Sequence, residues 1–139
     1  MFSKSRNTGS GPVDTSQSPY TCLKTLEFEK VSLNEGFWTK KITVNRKISL
    51  HFGFEMLEKA GNFDNLRIAA GLIEGNYRGY VFIDSDIYKW LEAVAWEMGK
   101  EPDPELASLA DQAIALIQTV QRPDGYLNSY VQTRESPEP

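Results

Sequence analysis

The sequence predicts a mainly α chain of consecutive antiparallel helices, preceded by a short β segment. Three observations carry this. Apolar residues recur at helical spacing along residues 39–60, 64–74, 87–98 and 106–120. Glycine and proline fall where each of those runs stops. A strand-like apolar pattern occurs instead at residues 23–33, ahead of the first helix.

Taken in chain order, residues 1–20 are rich in Ser, Thr, Gly, Asn and Pro and nearly lack large apolar groups. Such a segment buries too little to offset its ordering entropy, so it is expected to be a disordered tail, with 21–139 as one folded unit. In residues 23–33, Leu26 and Phe28 share one parity and Val31 and Leu33 the other, which requires a bulge or two short strands. Asn34-Glu35-Gly36 is turn chemistry. Phe37 and Trp38 follow it and are expected to staple a helix entrance to the core, with a carbohydrate platform as the alternative. Ile42, Ile48, Phe52, Met56 and Leu57 are the apolar positions of the first helix, which Gly61 stops. Asp64 is placed to cap a helix carrying Leu66, Ile68, Ala69, Leu72 and Ile73, ended by Gly75.

The helix after Asp84 has the clearest pattern. Ile87, Trp90, Leu91, Val94, Ala95 and Met98 form one continuous stripe, and Gly99 ends it. Pro104 suits the first turn of the next helix, where its missing N–H costs little. Leu106, Leu109, Ala110, Ala113, Ile114, Ile117 and Val120 share a face of that helix. Arg122-Pro123-Asp124-Gly125 is a turn, and residues 126–130 read as a short extended piece.

With 139 residues, 40% hydrophobic and 24% charged, the chain has the balance of a single globular domain. A net charge of −4 with no basic face argues against a nucleic-acid partner. One cysteine, Cys22, allows neither an internal disulfide nor a thiolate zinc cluster within the chain. No apolar run approaches the ~20 residues that span a bilayer, and the N-terminus lacks the apolar core of a secretory signal. A cytoplasmic protein without a membrane partner is the expectation. No G-x-G-x-x-G, phosphate loop or H-E-x-x-H zinc pattern is present. His51, the one histidine, lies in a helical pattern with no Ser or Cys nearby in sequence.

Two constellations remain. Asp84 and Asp86 stand two residues apart at a helix mouth, just after the apolar run Val81-Phe82-Ile83. Paired carboxylates can divide acid and base work when their surroundings separate their pKa values. In the plainer reading one caps the helix and the other favours its dipole. Tyr88 and Lys89 lie off the apolar stripe and face a ligand or water, while Trp90 belongs to the core. In Asp124-Gly125-Tyr126-Leu127-Asn128, a turn aspartate stands beside an aromatic ring and an amide. That suits a sugar, whose hydroxyls need polar partners and whose C–H faces stack on rings, and it equally suits a simple turn.

Five motifs occur in order: Phe37-Trp38; residues 65–71, NLRIAAG; residues 75–79, GNYRG; residues 82–93, FIDSDIYKWLEA; and residues 121–130, QRPDGYLNSY. Together they resemble the amino-terminal part of the β-L-arabinofuranosidase family, glycoside hydrolase family 127. The resemblance spans about residue 21 to the end. It implies the first helices of an (α/α)6 toroid and an L-arabinofuranoside substrate cleaved with retention of configuration. It also implies a zinc-held cysteine nucleophile and a glutamate acid/base. None of those catalytic or metal residues matches a position in this chain, so the expectation is an amino-terminal fragment, inactive alone, with no catalytic residue and no cofactor of its own. Asp84, Asp86, Tyr88, Asp124 and Tyr126 are the expected sugar-contacting residues. A non-catalytic carbohydrate-binding module and a helical interaction module are the alternatives. Apolar helix faces left without neighbours imply self-association.

Overall fold

The computed structural model describes residues 17–23, 26 and 30–134. The expected tail lies outside them except for the exposed residues 17–20, and so does Phe28 of the expected strand. Six α-helices are formed among the described residues: α1 (Phe37–Val44), α2 (Leu50–Ala60), α3 (Asn62–Ala69), α4 (Asp84–Lys100), α5 (Pro104–Val120) and the short α6 (Ser129–Gln132). Among the described residues there is no strand: residues 30–33 of the expected β segment form none, which corrects that part of it, while its residues 24, 25 and 27–29 lie outside the described residues. Residues 31–34 are irregular, and Leu26, Val31 and Leu33 are exposed. No neighbouring strand among the described residues takes up a ladder of their N–H and C=O groups, and alternation alone does not hold one.

A π-helical turn, Asn45–Ser49, joins α1 to α2. The inward stripe of this long element is Arg46, Leu50, Phe54 and Leu57. Ile48 and Phe52, expected to point inward, are 60% and 55% exposed and share a second stripe with Val44. The structure chooses the stripe that contains an arginine because that arginine is fully used. Arg46 Nη2 donates to the carbonyls of Glu101 (2.7 Å) and Pro102 (3.2 Å), and Nη1 to the carbonyl and carboxylate of Glu97. The Glu101 and Pro102 carbonyls lie just past Lys100, the last residue of α4, and the Glu97 carbonyl also accepts from Glu101 N–H. Phe37 and Trp38 do not staple the helix to the core; their rings meet edge to face in solvent.

Gly61 ends α2 and starts α3 at once, at φ 87°. The backbone at this φ requires glycine; a Cβ would also meet the Arg78 guanidinium at 2.6 Å, the movable end of a long side chain. Asp64 lies in the first turn of α3 rather than capping it, and α3 ends at Ala69, before the expected stop at Gly75. Asp103 caps α5, accepting from the N–H groups of Glu105 and Leu106, and Pro104 follows at the first helical position. The Leu106 N–H above all holds the Asp103 carboxyl below its usual range.

Leu50, Phe63, Leu66, Ile87, Trp90, Val94, Leu106, Ala113 and Val120 make the core where α2, α3, α4 and α5 meet. Each fully buried large side chain contributes roughly 1.5–3 kcal/mol. Trp90 supplies direction as well as area, because its Nε1–H donates to Leu50 O at 2.8 Å across the α2–α4 contact. Of the predicted α5 face, Ile114 falls outside and is 43% exposed. No helix among the described residues is long and apolar enough to cross a membrane.

Arg46→Met keeps the stem and removes the charged donors. It is expected to lower unfolding free energy by about 3–5 kcal/mol, as for breaking a buried ion pair. Urea denaturation followed by far-UV circular dichroism measures this.

Candidate functional site at the mouth of α4

Two buried asparagines place the loop that delivers α4. Asn65 Nδ2 donates to Arg78 O (2.8 Å), and its Oδ1 accepts from Arg78 N–H (2.9 Å). Asn62 Nδ2 donates to Ile83 O at 3.0 Å, one residue before α4 begins. Arg78 Nη2 pairs with Asp64 on the outside (2.8 Å). Residue 84 is thereby fixed in space, not merely in sequence.

Asp84 is buried, 5% exposed. Its Oδ2 accepts from Ser129 N–H (2.7 Å) and its Oδ1 from the Ser129 hydroxyl (2.5 Å). The carboxylate thus acts across 45 residues as a cap for α6, while lying in the first turn of its own helix, where the dipole favours a negative charge. Asn128 caps α6 from within, accepting from Val131 N–H. Residues 128–130 are thus the cap and start of a helical turn and not the expected extended piece. Ser129 is fully buried.

One turn after Asp84, the Tyr88 hydroxyl is buried without a hydrogen-bond partner. Burial first, and the Asp84 charge second, push its pKa up to about 12. Tyr77 completes the cluster. Its hydroxyl donates to Tyr80 O at 2.6 Å, and its ring meets Tyr130 edge-on at 5.2 Å. Burial and the Asp84 charge raise its pKa as well. The Arg134 guanidinium covers the Tyr130 ring at 3.9 Å.

Of the predicted residues, then, Asp84 and Tyr88 come together, joined by Tyr77 and Ser129. Asp86 faces outward and pairs with Lys89 at 3.2 Å, so the two aspartates diverge. Asp124 accepts from Tyr126 N–H (2.9 Å), and Arg122 lies over the Tyr126 ring. These two residues sit on the turn between α5 and α6, at the same end of the bundle as the start of α4. Two depressions, of about 350 and 230 Å³, lie elsewhere. The first is lined by Leu33, Thr39, Ile42 and Lys100 among others, the second by Phe54, Arg67 and Gln112 among others, and neither contains a predicted site residue.

A structural zinc site needs thiolate, imidazole or carboxylate donors converging on one point. Among the described residues no three His, Cys, Asp or Glu do so, and Cys22 is exposed. These residues do not fit the zinc that the resemblance implied, and no step is assigned to a metal.

The model of the β-L-arabinofuranosidase GH127 catalytic domain matches residues 30–138. The chain belongs to the GH127 catalytic-domain family. A non-reducing end β-L-arabinofuranosidase of Bifidobacterium longum subsp. longum is 46% identical over 70 residues, covering 50% of this chain and 11% of that relative. The solved GH127 β-L-arabinofuranosidase of Geobacillus stearothermophilus T6 superposes with a TM-score of 0.71 at 41% identity, covering 74% of this chain and 17% of that one. A second solved GH127 β-arabinofuranosidase gives a TM-score of 0.70 at 27% identity, with 76% and 17% covered. The six helices are accordingly a partial (α/α)6 toroid of the GH127 type, and the chain spans about a sixth or less of these relatives.

Two outcomes follow from the geometry. Asp84→Ala leaves the Ser129 donors buried without an acceptor. It should cost about 2–4 kcal/mol and selectively speed amide hydrogen exchange over residues 129–132. Tyr88 favours its neutral form when folded, so its contribution is complete below pH 10 and is lost as pH rises through about 12. Phenolate absorbance at 295 nm should show a late-titrating tyrosine that Tyr88→Phe removes.

Proposed function

We propose that this chain forms part of the wall of a saccharide cavity in a GH127 catalytic domain that removes terminal L-arabinofuranose with retention. The α4 mouth faces the sugar in this reading. The observation that carries it is the Tyr88 hydroxyl. It is a buried donor with no protein partner, set among residues of the family's own motifs, and a buried polar group left unpaired costs stability unless something else completes it. A sugar hydroxyl is a matching acceptor. A phenol that stays neutral up to about pH 12 remains a donor throughout the working range of an enzyme. Asp84 serves as the positioning residue, holding α6 and hence the turn with Asp124 and Tyr126 against the same rim. Asp124 and Tyr126 are flanking sugar contacts, whereas Asp86, turned to Lys89, is not placed at the mouth in this reading. The reacting nucleophile and acid/base come from other parts of such a domain. The exposed stripe of Val44, Ile48 and Phe52 supports the reading, because an apolar face of that kind requires a covering neighbour.

A chimaera tests this: residues 30–138 replace the matching segment of the Geobacillus enzyme. Hydrolysis of an aryl β-L-arabinofuranoside should persist, and Tyr88→Phe within the chimaera should raise KM roughly tenfold, the loss of one hydrogen bond of about 1.4 kcal/mol. In the isolated chain the same substitution should leave stability unchanged or increase it by up to about 1 kcal/mol. A folded chimaera whose kcat/KM ignores Tyr88→Phe would remove the proposal.

A further inference from the structure

The loop ahead of α4 ends in three consecutive apolar residues that face solvent: Tyr80 at 74%, Val81 at 51% and Phe82 at 63% exposure. The rings of Tyr80 and Phe82 are parallel within 3°, with centroids 5.5 Å apart. They do not hold the loop in place. Asn65 and Asn62 do so through the backbone of Arg78 and Ile83, with Arg78 paired to Asp64. The aromatic pair is therefore pre-positioned by polar groups beneath it and left free above, so a partner meets rings already ordered.

The same loop leads directly to the α4 mouth. The Tyr80 carbonyl accepts from Tyr77, which is coupled to Asp84. Neither of the two depressions described above has Tyr80 or Phe82 in its lining. Flat ring faces beside a polar rim suit the C–H face of a sugar, for which stacking supplies binding and the neighbouring polar groups supply orientation.

We propose that Tyr80 and Phe82 form a stacking platform for a second sugar ring, the one joined to the arabinofuranose at the α4 mouth. This rests on the reading that the mouth faces saccharide. The platform selects glycosides with a sugar aglycone over those with a small alkyl one. It contributes to binding, not to bond cleavage.

The test uses the full 139-residue chain and saturation-transfer NMR with two probes, methyl β-L-arabinofuranoside and an arabinofuranose disaccharide. Tyr80→Ala and Phe82→Ala should each weaken the disaccharide about fivefold to tenfold and leave the methyl glycoside unchanged. Tyr80→Phe, which keeps the ring, should restore binding, and Phe37→Ala, another exposed aromatic, should change nothing. Circular dichroism confirms folding of each variant, and Phe82→Leu keeps apolar area without a ring should Phe82→Ala unfold. Equal affinity of the platform variants for the disaccharide overturns the proposal. If Tyr88→Phe still weakens the methyl glycoside in that case, the reading of the mouth stands alone. If the platform variants respond and Tyr88→Phe does not, the reading of the mouth fails instead. A wild-type chain that binds neither sugar overturns both.

Discussion

The Asp84 carboxylate is the constraint on which this end of the molecule depends. A charge taken out of water is tolerated only with full hydrogen bonding, and both of its oxygens are met by Ser129. That one contact fastens the start of α4 to α6, and with it the turn after α5. It also acts on the electrostatics nearby: burial above all, and this charge second, raises the pKa of the Tyr77 and Tyr88 phenols. One residue thus ties two helices together and adds to the burial that keeps two phenols neutral.

A second layer of order lies under the loop that leads into α4. Asn65 pairs both the N–H and the C=O of Arg78, as a strand neighbour would in a sheet, and Asn62 adds a donor to the Ile83 carbonyl, which also accepts from Asp86 N–H; both asparagines are 1% exposed or less. Irregular chain can then be as well placed as helix. This is why an exposed aromatic loop tip is compatible with a defined ring geometry.

The helices themselves were legible from periodicity, α4 and α5 especially, because their stripes carry apolar residues and little else. The first helix was not. Its buried face contains Arg46, which a hydropathy pattern assigns to solvent, while Val44, Ile48 and Phe52 form a more convincing stripe that the described structure leaves open. The arginine's partners are carbonyls near residue 100, and no local pattern announces a pairing at that separation. The candidate site was legible in part for a related reason. Helix-mouth chemistry singled out Asp84, and position relative to the stripe singled out Tyr88. Ser129 and Tyr77 join them only through tertiary packing. Asp86 shares the local signature of Asp84 but, two residues along a helix, it points elsewhere.

The π turn between α1 and α2 adds one residue to a helical revolution. The extra residue falls in the turn that carries Arg46. Excising a single residue there would rewind the segment as ordinary α-helix and shift the point from which Arg46 reaches the carbonyls of Glu97, Glu101 and Pro102. The wider coil is thus a spacer that sets the reach of one guanidinium, and length variation at that point would unfasten the far end of α4 from the chain's leading helix.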